Sequence, residues 1–255
     1  MGPQMSRLRE VLFNPRELQC LIKEWTRLIQ RPSLHEVCQN AYCYLYKLPS
    51  VDLDSIAPPL DRPFSVIMDH ICLPPYYGPS THDDVTPLMR IIRYVDPKVV
   101  LEFGTAHGNT VANICKLCNA YAFTINALPE ELSGELTTFT LTKNEIGSVY
   151  RQYGFQHRVT QIFTNTLEFN QSHYFEKPCV DVAIIDACHD TEYVINDFLK
   201  ALPILNIKAT VLFHDTHPSR ENHLAGSYLA CVELRRRGFD IRHLRNTWWA
   251  IWEKR

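Results

Sequence analysis

Val99-Val100-Leu101-Glu102-Phe103-Gly104-Thr105-Ala106-His107-Gly108-Asn109 is the stretch on which the fold turns. Five largely apolar, β-prone residues end at a glycine, and a second glycine stands four positions later, directly before the apolar-periodic run Val111 to Ala120. A buried strand, a tight turn and a helix account for that order, because a fully buried strand is continuously apolar whereas a helix face repeats every three to four residues. Such a turn brings backbone N–H groups and a positive helix end together, and glycine lets a ligand approach the backbone closely. The Gly-x-x-x-Gly spacing is shared by many turns and lacks the third glycine of the dinucleotide fingerprint. Glu102 adds to it: a carboxylate on a buried strand costs several kcal/mol unless something pairs with it.

Downstream the same alternation recurs. Ala122 to Ala127, Val159 to Phe163, Val180 to Ile185 and Thr210 to Phe213 read as strands, with helices at Asn144 to Tyr153, Glu192 to Leu205 and Gly226 to Arg237. Phe239 to Leu244 and Thr247 to Trp252 read as a closing strand pair. The expected fold class is α/β: a doubly wound, Rossmann-like, mostly parallel sheet with helices on both faces and an antiparallel C-terminal strand. Upstream, residues 6 to 47 carry an apolar stripe through Leu18, Leu21, Ile22, Trp25, Leu28 and Ile29, an N-terminal helical extension that packs on its own domain or on a second copy in a homo-oligomer. Residues 48 to 84 are a Pro-rich loop, where Tyr76 and Tyr77 either cover a ligand or pack down. The organisation is therefore an extension and loop over 1–84 and a Rossmann-like domain over 85–255.

Composition narrows the function. With 26 Lys plus Arg against 28 Asp plus Glu the net charge is −2, so no basic field favours nucleic acid. There is no apolar run of membrane-spanning length, and the polar N-terminus lacks a signal-peptide centre. Nine cysteines without a framework spacing suit free thiols in the cytoplasm; the single Cys115-x-x-Cys118 falls on a helix without a second pair, short of the four ligands of a structural zinc.

Two further segments carry chemistry. Ile185-Asp186-Ala187-Cys188-His189-Asp190 ends the fourth strand and Phe213-His214-Asp215-Thr216-His217 the fifth. In an open α/β sheet the carboxyl ends of the strands share one crevice, so Asp186, His189, Asp215 and His217 are expected beside the glycine turn. Carboxylates and imidazoles together suit a divalent metal such as magnesium, manganese or iron. The bland alternative has His189 and His214 satisfying loop hydrogen bonds and Asp190 capping the helix that follows.

Leu101 to Thr105, Ile185 to His189 and Phe213 to Asp215, in this order, resemble the motifs of class I S-adenosylmethionine-dependent methyltransferases, in the branch of bacterial natural-product O-methyltransferases and cephalosporin-hydroxylase-like proteins. The resemblance spans roughly residues 80 to 255. It implies that Glu102, Gly104, Thr105, His107 and Gly108 hold the methionine and ribose of S-adenosylmethionine, that Asn165 and Thr166 lie by the adenine, and that Asp186 completes the cofactor site. It further implies a divalent ion on Asp186 and Asp215 with His189 or His217, and catalysis by His189, Asp215 and His217 on a hydroxyl of a small-molecule acceptor. The family usually ends the second strand with an acid; here Asn126 stands there, able to hydrogen-bond a ribose hydroxyl. A degenerate, non-catalytic relative and a facial-triad oxygenase built from His189, Asp215 and His217 are the alternatives.

Overall fold

Alternate side chains of a strand point to opposite faces, so a strand that is apolar throughout must be covered on both. Val99–Phe103 meets that condition at every residue but Glu102 and forms β2. The structure, a computed structural model, describes residues 47–59, 63–69, 84–131, 141–216 and 226–255; the expected helical stripe over residues 6 to 47 (apart from Lys47), Tyr76, Tyr77 and His217 lie outside them. With β1 (Ser50–Val51), β3 (Tyr121–Asn126), β4 (Val159–Phe163), β5 (Val180–Ile185), β6 (Leu205–Phe213), β7 (Arg242–Leu244) and β8 (Ala250–Glu253), β2 builds an eight-stranded sheet in the order β1-β7-β8-β6-β5-β2-β3-β4. β2 pairs in parallel with β3 and β5, and β6 in parallel with β5, while β8 runs antiparallel to both β6 and β7. The expected α/β architecture with its antiparallel C-terminal strand is what forms.

Helices cover the two faces according to residue parity. Leu101, Phe103, Ala183, Ile185, Val211 and Phe213 face α5 (Thr191–Ala201) and α6 (Gly226–Arg236), through Val194, Phe198, Tyr228 and Leu234. Val100, Val182, Ile184 and Leu212 face α2 (Val85–Val95) and α3 (Asn109–Leu117), through Leu88, Met89, Ile92 and Ile114. Glu102 shares the parity of Val100 and therefore points beneath α3. Two short helices complete the described residues, α1 (Leu53–Ile56) and α4 (Ser148–Gln152). No described helix is long and apolar enough to cross a membrane.

Several boundaries differ from the expected ones. α5 stops at Ala201 rather than Leu205, because Pro203 has no N–H for an α-turn and Leu202–Ile204 tighten into a 3₁₀ turn. β6 consequently starts at Leu205, five residues before the expected Thr210. α4 begins at Ser148, after the left-handed Gly147 (φ +72°), rather than at Asn144. α3 spans Asn109–Leu117 rather than Val111 to Ala120. The stretch expected to be only loop contributes β1, which pairs with β7, and α2 had no expected counterpart although Leu88, Met89, Ile91 and Ile92 trace its buried stripe. Cys115 and Cys118 are free thiols.

Phe198 sits at the centre of the α5/α6 face, fully buried, with the rings of Phe213, Phe239 and Trp252 at 5.5, 4.8 and 5.3 Å between centroids. Phe198→Ala should cost about 3–5 kcal/mol in urea unfolding. A loss below about 1 kcal/mol would mean that the face refills the space.

Candidate active site

The chain leaves β2 toward β3 on one side of the sheet and returns to β5 on the other, which opens a crevice at the carboxyl ends of β2 and β5. Gly104 stands at that point with φ +97°, and an added Cβ would lie far inside van der Waals contact distance of the Asp186 carbonyl oxygen. Asp186 N–H donates to the Phe103 carbonyl (2.9 Å), while the N–H groups of Gly104 and Thr105 both donate to the Ile125 carbonyl (2.9 and 3.1 Å). The turn is thus pinned between its two neighbouring strands. Its far side is tied to α4: Gly147 N–H donates to the Ala106 carbonyl (2.9 Å) and Val149 N–H to that of His107 (2.8 Å). Gly108 (φ +80°) starts α3, and a Cβ there would meet Tyr150 Cδ1 at 2.6 Å.

Glu102 is 1% exposed and lies under the turn rather than in the crevice. A directional chain of hydrogen bonds reaches it. Gln161 Nε2 donates to Thr105 Oγ1 (2.9 Å), Thr105 Oγ1 is 2.7 Å from Thr124 Oγ1, and Thr124 Oγ1 donates to Glu102 Oε2 (2.5 Å). A hydroxyl has one hydrogen, so Thr124, donating to Glu102, accepts from Thr105. Burial pushes the Glu102 carboxyl up to about 8, against the lowering effect of the Thr124 and Thr110 hydroxyls, with the Asp186 charge pushing the same way as burial.

Across the crevice Asp186, His189 and Asp215 come together, each offering a ligand atom within 4.8 Å of the others. His189 Nε2 is 2.7 Å from Asp215 Oδ2, and its buried Nδ1 has no hydrogen-bond partner among the described residues. Asp215 adopts a left-handed backbone (φ +54°), a conformation that is uncommon for a residue other than glycine. His214 lies among three acids: Nδ1 is 3.0 Å from Asp186 Oδ1 and 3.4 Å from Asp215 Oδ2, and Nε2 is 3.4 Å from Asp84 Oδ2. Burial works against its charge, yet the carboxylates of Asp186 and Asp215 outweigh it and hold the His214 pKa well above the usual histidine value. Burial likewise opposes ionisation of Asp215, and the two histidines override it, holding that carboxyl well below the usual range.

Of the expected residues, then, the structure joins Asp186, His189 and Asp215, with the Asp186 backbone directly against Gly104. Asn126 ends β3 with Oδ1 accepting from Ala106 N–H (3.0 Å) and Nδ2 donating to the Ala127 carbonyl (2.7 Å), so its amide steadies the turn. Asn165 Oδ1 accepts from Leu167 N–H (3.0 Å), and buried Thr166 faces α5, its carbonyl accepting from Asn196 Nδ2 (3.2 Å) and Lys200 Nζ (3.0 Å). Asp190 occupies the position before α5 but makes no side-chain cap, correcting that expectation; its carboxylate lies 3.7 Å from Cys188 Sγ instead. Sequence reasoning missed Asp84 altogether and gave His214 only a loop role. The adjacency of His214 to Asp215 was the available signal for the second; for Asp84, distant in sequence, there was none.

Gly104→Ala should destabilise the chain in urea unfolding, because the turn and the start of the β5 loop cannot both keep their places. The folded chain holds the Glu102 proton more tightly than the unfolded one, so this group's contribution to stability is lost as pH rises from the ordinary carboxyl range through about 8. Glu102→Gln cannot ionise. Urea unfolding at about pH 5 and about pH 9 should therefore show wild type losing stability relative to the variant, and a constant difference would contradict the raised pKa.

Residues 101–216, a little under half of the chain, match the family model for a methyltransferase domain. No curated protein matches the chain in sequence. Among solved structures, the cofactor-bound Rv0187 protein from MTB is 13% identical, with a TM-score of 0.51 over 95% of this chain and 98% of its own. A protein from Staphylococcus aureus assigned as a caffeoyl-CoA O-methyltransferase is 16% identical, with a TM-score of 0.50 over 91% of this chain and 98% of its own. One from Clostridium thermocellum assigned as an rRNA methylase is 13% identical, with a TM-score of 0.50 over 69% and 99%. At these identities the likeness is one of fold. Residues 101–216 are thus similar to a methyltransferase domain, and the sheet they belong to has the Rossmann-like methyltransferase fold.

Proposed function

We propose that the protein methylates a hydroxyl of a small-molecule acceptor in the cytoplasm, with S-adenosylmethionine as donor and His189, oriented by Asp215, accepting the hydroxyl proton. The observation that carries this reading is the buried His189–Asp215 contact at 2.7 Å, at the carboxyl ends of β5 and β6 and across the crevice from the Gly104 turn. A carboxylate on one ring nitrogen fixes the tautomer and direction of the other, which suits proton transfer. S-adenosylmethionine when bound supplies an electrophilic methyl group on a sulfonium. The protein's part is to align acceptor and methyl and to exclude water. The turn from Gly104 through Thr105 and His107 to Gly108 suits the donor, since it joins the carboxyl end of β2 to the N-terminus of α3. Asn126 Nδ2 has a second hydrogen for a ribose hydroxyl, Asp186 and Asn165 border the same edge, and Glu102 acts from beneath, through Thr124 and the first turn of α3.

Asp186, His189 and Asp215 also have the composition of a divalent-cation site, and the unpartnered Nδ1 of His189 is a buried donor atom in search of a ligand. Magnesium, manganese or iron held there would lower the pKa of an acceptor hydroxyl. The facial-triad oxygenase alternative needs His217, outside the described residues, and the matched family is one of methyltransferases. Free thiols at Cys115, Cys118, Cys179, Cys188 and Cys231 suit a reducing compartment.

Calorimetry should show S-adenosylhomocysteine binding near micromolar, about −8 kcal/mol. On a panel of phenolic, enolic and sugar hydroxyl acceptors, His189→Ala and Asp215→Asn should lose turnover by about 10²–10⁴ while retaining the cofactor product. Tight product binding with no turnover on any hydroxyl would instead favour a non-catalytic cofactor-binding relative.

A further inference from the structure

His214 stands among the acids of the crevice, and the proposed reaction does not use it. Its ring packs on Trp249 at 4.4 Å between centroids, and both nitrogens face carboxylate oxygens: Nδ1 faces Asp186 Oδ1 and Asp215 Oδ2, and Nε2 faces Asp84 Oδ2. Carboxylates only accept, so a ring nitrogen that bonds to one does so through its N–H. Asp84 is itself bracketed. Its Oδ1 accepts from Trp248 N–H (3.1 Å) and its carbonyl from Trp249 Nε1 (2.9 Å), so the histidine is held from behind by a fixed acid and from the side by a fixed ring.

These contacts fall on the oxygens that a cation would need. Asp215 Oδ2 already receives His189 Nε2 at 2.7 Å and also faces, at 3.4 Å, the His214 Nδ1 whose one hydrogen lies between the two carboxylates. Asp186 Oδ1 is turned to the same Nδ1 at 3.0 Å. We propose that His214 is an internal competitor for the divalent ion: it occupies Asp186 and Asp215 in the ion-free protein and must give them up when a cation binds. This inference rests on the divalent-ion reading above. It predicts an ion affinity set by the displacement of His214 rather than by the three ligands alone, and it gives Asp84 and Trp249 the part of retaining the displaced ring at the crevice.

Manganese(II) titrated into the full chain, followed by calorimetry and by the electron paramagnetic resonance of free Mn²⁺, tests it on wild type, His214→Ala and His214→Phe, with S-adenosylhomocysteine binding measured on each as the check of fold. The Phe variant keeps a ring against Trp249, so the comparison survives if the Ala variant fails to fold. Both variants should bind Mn²⁺ about tenfold or more tightly than wild type, since loss of charge-assisted contacts frees the carboxylates. Binding by the variants alone would support competition equally. Equal affinity in wild type and variants would overturn the competition and leave the ion site standing. No Mn²⁺ binding by any form, with the cofactor product still bound, would overturn both while the methyltransferase assignment stands.

Discussion

The ends of β2 and β5 approach so closely at Gly104 that the backbone of Asp186 occupies the space a side chain would take. The functional geometry follows from that contact. Because Asp186 N–H bonds to Phe103 and Gly104 N–H to Ile125, the glycine turn is held by the sheet on both sides rather than by its own sequence. Asp186 is thereby fixed at the mouth of the crevice. Its carboxylate can then reach the residues that follow β6, whose His214 N–H bonds to the Ile185 carbonyl in continuation of the β5–β6 ladder. Without the hydrogen at Gly104 the two strand ends would have to part, and the donor side and the His/Asp side of the crevice would separate with them.

The second constraint is electrostatic. Asp84, Asp186 and Asp215 gather at the carboxyl ends of β5 and β6, and a buried carboxylate left alone is costly. His189 and His214 supply the compensating N–H groups, which is why the cluster can exist in a folded chain and why Asp215 stays ionised despite its burial. Glu102 is treated differently: it receives neutral hydroxyl donors and no cation, so its proton is retained to unusually high pH. Two acids a few residues from the same crevice thus carry opposite shifts, one set by imidazoles and the other by burial. Asn126 fits this pattern. An amide at the end of β3 can bind Ala106 N–H without adding another negative charge near Glu102 and Asp186.

Much of the fold was legible in the chain itself. Val99–Phe103 and Val180–Ile185 are apolar but for Glu102 and Asp181 because both their faces are covered, and that pattern is local enough to be read without knowing the partners. The glycine at 104 and the acid clusters after β5 and β6 were likewise visible, and with the rule that strand ends share a crevice they placed Asp186, His189 and Asp215 together. Element boundaries were less legible: Pro203 ends α5 early, and β6 runs back to Leu205 because the edge it joins is decided by its neighbours.

What sequence alone determined, therefore, was the class of fold and the chemical types that meet in its crevice. Which atom meets which was decided only by the tertiary structure. His214 bridges acids at positions 84, 186 and 215, which three separate segments bring together through the strand order β8-β6-β5-β2 and the packing of α2 against it. Periodicity is a property of neighbours along the chain and can be read from them. A hydrogen bond between residues 84 and 214 depends on how every intervening element packs, and no local pattern of residues encodes it.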